Sequence, residues 1–314
     1  MPEPRPDSLR LLDAAPEPGT DATTWVTEHR AEIRALVARH GAVMVRGLHL
    51  DDAGHAVSVV RRIIGDGMAE REGFAPRDTY GPGLYSSSHW PADQPMCMHH
   101  ELSYAAEAPR LMVFACVTPP SAGGVTAVAD ARAVLRDLPT GLVERFERHG
   151  WLLTRHYNPF VGLGWEDAFG AKDPAEVERY CAAQGIEVRW DADGGLRTRQ
   201  TRPAVRTDPE SGERSWFNQI AFLNEWTMAP EVREFLTSEF GPDGLPFNTF
   251  YGDGSPLDRA TVDLINDVYA QHTVREPWQR GDVMVVDNIR MAHSREPYRG
   301  AREIIVGLGE PFRA

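Results

Sequence analysis

The sequence predicts a mainly β fold, a sandwich or barrel carrying helical inserts, and three observations predict it. From about Tyr80 onward, short β-rich runs alternate with Gly/Pro turns: MCMHHEL, RLMVFACV, VTAVAD, WLLTRHYN, IEVRW, SWFNQI, DVMVVDN and REIIVGLGE. These runs do not alternate regularly with helices, as a doubly wound sheet requires. The chain has 314 residues, 42% hydrophobic and 25% charged, which is enough for one large β domain with a substantial core.

Taken in order, residues 1–22 carry prolines and acids but no apolar h-region. They are expected to form a loosely held arm rather than a signal peptide, with a single domain over 23–314. Residues 27–40 place Ile33, Leu36 and Val37 at helical spacing, and Gly41 follows as a stop. GAVMVRGL at 41–48 reads as a strand. Asp51-Asp52 opens a second helix to 64. Helical inserts are expected near 131–138, 174–184, 229–239 and 259–272. The longest uncharged stretch, 111–129, is nearly long enough to span a bilayer, but Pro119-Pro120 and Gly123-Gly124 break it. It predicts a buried strand and a turn.

Composition excludes several functions. Against 33 basic side chains stand 46 acidic ones, and the net charge of −13 argues against nucleic acid or an anionic membrane as partner. Cys97, Cys116 and Cys181 are odd in number and lack CxxC spacing. That excludes a disulfide scaffold and a cysteine zinc site, and suits a reducing, cytoplasmic setting. Neither G-x-x-x-x-G-K-[ST] nor G-x-S-x-G occurs, so phosphate-loop and serine-hydrolase readings have no support.

The strongest chemical candidate is His99-His100-Glu101. On a strand, residues two apart share a face at roughly 7 Å, so His99 and Glu101 could converge on one metal ion while His100 faces away. Spacing alone is weak evidence: with 11 histidines and 46 acids, about one or two His-x-Asp/Glu patterns arise by chance. A second, His49-Leu50-Asp51, sits where a strand gives way to a helix, and Asp51 suits an N-cap there. His293, in DNIRMAH after the apolar run 283–286, is remote in sequence, but distant strands of a closed β fold become neighbours. Two histidines and one carboxylate form the facial triad of non-haem Fe(II) oxygenases. The same set suits zinc hydrolases, although H-E-x-x-H is absent.

An octahedral ion with three facial protein ligands leaves three positions, enough for a bidentate 2-oxo acid and dioxygen. A second carboxylate on the oxo acid needs a fixed cation, best an arginine fork. Arg302 is the candidate, with Arg299 and Arg295 as competitors. Thr126, after Gly123-Gly124, could donate its hydroxyl to that carboxylate. The segment 85–90, Asn218 and Arg290 are further candidates for the pocket.

The ordered set MHHELSY, GGVTAVADAR, SWFNQI, NTFYGDGSPL and WQRGDVMVVDNIRMAHSREPYRGAR resembles the TauD/TfdA family of Fe(II)/2-oxoglutarate-dependent oxygenases, most closely its SyrP-like amino-acid hydroxylase branch. The likeness runs from about residue 41 to the C-terminus. It implies a double-stranded β-helix (a jelly roll, cupin-like) with Fe(II) on His99, Glu101 and His293, and 2-oxoglutarate on Arg302 and Thr126. It implies hydroxylation of an unactivated C–H bond by O2, with release of succinate and CO2. The substrate implied is an amino acid or derivative, free or carrier-tethered, in secondary metabolism such as antibiotic biosynthesis. Desaturation on the same scaffold is a variant, and a zinc hydrolase or small-molecule sensor is the alternative outside the family. Two positions depart from the branch: His100 replaces a frequent asparagine, and Val125 a frequent acid. Glu101 stands where halogenases carry a small residue, which disfavours halogenation.

Overall fold

The computed structural model describes residues 9–14, 16, 20–158, 162–241 and 244–313. Its frame is a seven-stranded sheet in the order Leu9–Asp13, Ala42–Arg46, Val283–Asp287, Glu107–Thr118, Glu303–Arg313, Leu84–Ser86 and Thr79–Gly81. The first pair is parallel and the others are antiparallel. A four-stranded sheet, Thr273–Val274, Val128–Asp130, Met291–Arg295 and Met96–His99, supplies the second layer.

Strand alternation sorts the side chains of the large sheet into two cores. Val43, Val45, Val113, Val283, Val285 and Ile305 pack with the helices Ala22–His40 and Ala53–Ile64. Met44, Met112, Phe114, Met284, Val286 and Val306 face the other way, into one cluster with Met96, Met98, Val128 and Met291 of the smaller sheet. These strands read as continuous apolar runs because both their faces are covered. The result is the jelly roll with helical inserts that the sequence predicts. A further sheet, Glu187–Trp190, Leu196–Arg202, Trp151–Tyr157 and Phe247–Tyr251, packs on the helices Trp165–Phe169 and Pro174–Ala183 around a small core of its own.

The N-terminal expectation needs correction. Part of the loosely held arm foreseen over 1–22 is a strand, Leu9–Asp13, paired in register with Ala42–Arg46; residues 1–8, 15 and 17–19 lie outside the described ones. The first helix starts at Ala22, five residues earlier than its apolar spacing indicates. Asp21 caps it, accepting the backbone N–H groups of Thr23 at 2.9 Å and Thr24 at 3.2 Å. The second helix is capped by Asp52, which accepts from His55 N at 2.8 Å, and not by Asp51. The inserts near 131–138, 174–184, 229–239 and 259–272 are present as Ala131–Asp137, Pro174–Ala183, Pro230–Phe240 and Arg259–Gln271. No helix among the described residues is long and apolar enough to cross a membrane.

Candidate metal and co-substrate site

Met96–His99 and Met291–Arg295 are antiparallel neighbours, and their register sets His99 directly opposite His293. The two rings lie 4.2 Å apart between centroids. Glu101 completes the group by a different route from the one the spacing suggests. The strand ends at His99, and Glu101 sits in the turn that follows, where buried Leu102 adopts φ +53°. The turn, and not strand alternation, swings the carboxylate back. Its Oε2 lies 3.9 Å from His99 Nε2 and 3.5 Å from His293 Nε2. These three are the only group of His, Cys, Asp and Glu side chains among the described residues whose ligand atoms all fall within 4.8 Å of one another, and all three are buried. His49, the decoy, is exposed and outside any such group.

The donor set fits a divalent cation. His99 Nδ1 donates to the Cys97 carbonyl at 2.7 Å, which leaves the Nε2 lone pair for the cluster. Burial, reinforced by His293, lowers the His99 pKa to about 3, so its imidazole is neutral and able to ligate. Burial opposes ionisation of Glu101, but Arg77 and the hydrogen bond with His293 outweigh it and hold the carboxyl well below the usual range. Arg77 donates to Glu101 Oε1 at 2.7 Å, and its Nε lies 3.4 Å from Glu70 Oε2. One carboxylate oxygen is thereby occupied, while Oε2 is the one facing the imidazoles. Asn288 holds the backbone of the same residue, accepting from Glu101 N at 2.9 Å and donating to Glu101 O at 3.0 Å.

His100 does turn away from the cluster, although it too lies past the end of the strand. It is fully buried, its Nδ1 donates to the Asn288 carbonyl, and its ring lies 4.8 Å from that of Phe217. Burial lowers its pKa to about 3, so it adds no charge.

The same cavity that His99, Glu101 and His293 line is lined by Thr126 and Arg302. Gly123 and Gly124 both sit at φ near +70°, and this left-handed turn presents the Gly124 carbonyl to Arg302 Nε at 3.1 Å. Arg302 also donates to Thr126 Oγ1 at 3.1 Å and reaches Ser87 Oγ at 3.4 Å. No carboxylate pairs with it among the described residues. Burial, then the nearby Arg295, lowers its pKa to about 10. A part-buried guanidinium facing hydroxyls and no acid has the chemistry to receive an anion.

The competitors separate cleanly. Arg299 is exposed. Arg295 lines the cavity, but its guanidinium donates to the carbonyls of Trp90, Pro91 and Gln94 at 3.1, 2.6 and 2.8 Å and so holds the preceding loop. Of the segment 85–90, Ser87 and Ser88 reach the cavity. Asn218 does not; its amide donates to Ala204 O and accepts from Ile220 N. Arg290 is spent on Asp130 and the Arg39 carbonyl. Arg77 and Asn288 were not singled out by the sequence. Arg77 stands in a loop without periodicity, and the only signal for Asn288 was the DN pair closing an apolar strand.

Comparison with known proteins gives this geometry its context. Residues 8–308 match the family described as "Taurine catabolism dioxygenase TauD, TfdA family". The dapdiamide synthesis protein DdaC of Enterobacter agglomerans is 29% identical over 279 residues, covering 89% of this chain and 85% of its own. A clavaminate synthase-like protein of Arabidopsis thaliana is 28% identical over 301 residues, covering 91% and 86%. In fold, the chain resembles the PvcB protein of Pseudomonas aeruginosa with a TM-score of 0.56 at 16% identity, covering 97% of this chain and 87% of that one. It also resembles AAD-2 in complex with Mn(II) and N-oxalylglycine, with a TM-score of 0.52 at 14% identity, covering 96% and 93%. The chain belongs to the TauD/TfdA family of iron- and 2-oxoglutarate-dependent dioxygenases.

Proposed function

We propose that this enzyme binds Fe(II) through His99, Glu101 and His293, holds the remote carboxylate of 2-oxoglutarate with Arg302 and Thr126, and uses O2 to hydroxylate an amino acid or amino-acid derivative. The observation that carries the reading is Arg302: a part-buried cation without an acidic partner among the described residues, in the same cavity as the histidine–carboxylate cluster. A 2-oxo acid that chelates a metal through its keto-acid end carries a second carboxylate, and a fixed guanidinium suits it. When bound, iron and the oxo acid supply the oxidising chemistry, with succinate and CO2 released. The protein's own contribution is placement. Neutral His99 offers Nε2, Arg77 and Asn288 fix the direction of Glu101, and Met112, Phe114, Ile304 and Val306 give the cavity an apolar wall that keeps water out.

The amino-acid class is supported by the relatives: one is a dapdiamide synthesis protein, and PvcB is described as an Fe, alpha-ketoglutarate dependent oxygenase from an isonitrile synthetic pathway. On this reading the chain sits with the SyrP-like amino-acid hydroxylases, and its substrate is free or carried by a carrier protein. Under anaerobic conditions, protein with Fe(II) and 2-oxoglutarate should develop a weak visible charge-transfer band. His99→Ala and Glu101→Ala should each abolish both the band and succinate formation. Protein that copurifies with zinc, shows no band and leaves 2-oxoglutarate intact would refute the reading.

A further inference from the structure

Beside the metal cavity lies a much larger one, of about 730 Å3. Cavities of roughly 300–1,000 Å3 are the size that encloses small organic molecules. Its wall is apolar and aromatic, including Phe74, Trp90, Phe222, Phe247, Met228 and Leu236. We propose that this cavity is the substrate pocket and that it selects an amino-acid derivative with a bulky apolar group, aromatic or long aliphatic, over a small polar one. The inference rests on the oxygenase reading and names the substrate class for that same site.

Three observations carry it. The first is adjacency. Phe222 forms part of the cavity wall and stacks on the His99 ring at 4.6 Å and 22°. Trp90 lines the large cavity, while its carbonyl is held by Arg295 of the metal cavity. Met96 borders the metal side and Cys97 the large one, so a single short strand separates the two spaces. Phe222 and Trp90 therefore border the passage between the two spaces, and the end of a substrate held in the large cavity reaches the metal side past Phe222.

The second observation is the lack of an anion receiver. The arginine in the wall, Arg155, is already committed: its guanidinium donates to the carbonyls of Glu72 and Gly73 at 2.5 and 2.7 Å. The histidine in the wall, His156, lies 3.3 Å from Asp191, and burial lowers its pKa, which disfavours the cationic form; the one acid in the wall, Asp93, is exposed at the edge. A charged group buried against this wall would lose its hydration without gaining a fixed cation, so the cavity suits the apolar part of a ligand, and a small molecule that is all charge has nothing to gain there. The third is the entrance. Val232 and Phe235, on the helix Pro230–Phe240, line the cavity and are 42% and 60% exposed. Large apolar side chains left in water at a pocket mouth suit an apolar group that must pass or rest there.

The test is binding, without turnover. Protein with Fe(II) and 2-oxoglutarate is titrated under anaerobic conditions, by calorimetry, with taurine, L-alanine, L-leucine, L-phenylalanine and N-octanoyl-L-phenylalanine. Affinity should rise along the series, by about fourfold per methylene buried, so that the octanoyl compound binds at least about tenfold tighter than alanine. Ala229→Trp fills the mouth at an exposed lining position that makes no side-chain cap bond to its helix. It should weaken the octanoyl compound about tenfold and leave the Fe(II)/2-oxoglutarate band unchanged. Equal affinities across the series, tighter binding of taurine than of the octanoyl compound, or an Ala229→Trp protein that binds it normally would each overturn the proposal. The two readings separate in the same experiment: loss of the band with the apolar preference retained sinks the oxygenase and upholds the pocket's selectivity.

Discussion

The side-chain amide of Asn288 clamps both main-chain polar groups of Glu101. Asn288 Oδ1 accepts the Glu101 N–H at 2.9 Å, and its Nδ2 donates to the Glu101 carbonyl at 3.0 Å and to the Pro109 carbonyl at 2.8 Å. The next residue, Leu102, is buried and left-handed at φ +53°, a conformation that costs a non-glycine residue about 1–2 kcal/mol. The clamp thus holds a strained turn in the shape that aims the carboxylate. Asn288→Leu leaves three buried backbone groups unpaired, at about 1–3 kcal/mol each. The denaturation midpoint should fall, and Fe(II) affinity should drop by roughly 10–100-fold, as for other residues that orient ligands. An unchanged midpoint in Asn288→Leu would show that the turn holds itself.

Arg77 makes a separable claim, because its charge and a bound cation do overlapping work. It pairs with Glu101 and lies near Glu70, and both Arg77 and Glu101 are buried. Arg77→Met keeps much of the volume and removes the charge. Breaking a buried pair in this way costs about 3–5 kcal/mol. Fe(II) held as proposed would supply positive charge to the same carboxylate and should recover part of the loss through linkage. The rise in Tm on adding Fe(II) anaerobically should therefore be larger in Arg77→Met than in the parent protein. An equal rise in both means that the site does not feel the Arg77 charge.

On the proposed reading Arg302 grips the far carboxylate of 2-oxoglutarate, remote from the bond being broken, so its loss should act on co-substrate binding more than on turnover. A hydrogen bond to a charged group contributes about 1.5–3 kcal/mol, so Arg302→Ala should raise the KM for 2-oxoglutarate by roughly 10–100-fold. Thr126→Val removes a neutral hydroxyl and should raise it only a few-fold. Arg299→Ala should change neither. Succinate release as a function of 2-oxoglutarate concentration measures all three, and a normal KM in Arg302→Ala would move the anion site elsewhere.

How much of this could be read from the chain depends on how local each determinant is. His99, Glu101, Thr126, His293 and Arg302 stand in short motifs whose order along the sequence resembles a known family. The structure brings the first two together with His293 and sets Arg302 against Thr126. The two-layer β architecture was likewise legible, because apolar runs broken by Gly/Pro turns are a local property. The reason for the Glu101 geometry was not legible, since it lies in a turn stabilised by Asn288, 187 residues away. Leu9–Asp13 was hidden for a related reason. Its burial is mostly partial or absent, it contains no β-branched residue, and its partner follows a whole helix later. Arg77 lies in a loop, where no periodicity marks which of many arginines turns inward.

The fold itself should report acid through Asp130, which closes the strand Val128–Asp130 next to Met291. Its carboxylate caps the helix Ala131–Asp137 through the Arg132 N–H at 3.0 Å and pairs with the guanidinium groups of Arg132 at 2.8 Å and Arg290 at 3.3 Å. Burial raises its pKa, but Arg132 and Arg290 outweigh burial, and the net shift is downward. A carboxyl whose folded pKa is depressed adds stability that is present above its unfolded value, near about 3.9, and lost as pH falls through the lower folded value. Asp130→Asn keeps an oxygen for the cap and loses the charge. The variant should be less stable than the parent by a constant margin above about pH 5, and the gap should shrink below about pH 4, where the parent begins to protonate. Urea denaturation at a series of pH values measures the margin. A gap that stays constant down to pH 3 would show that the two arginines do not stabilise the ionised form.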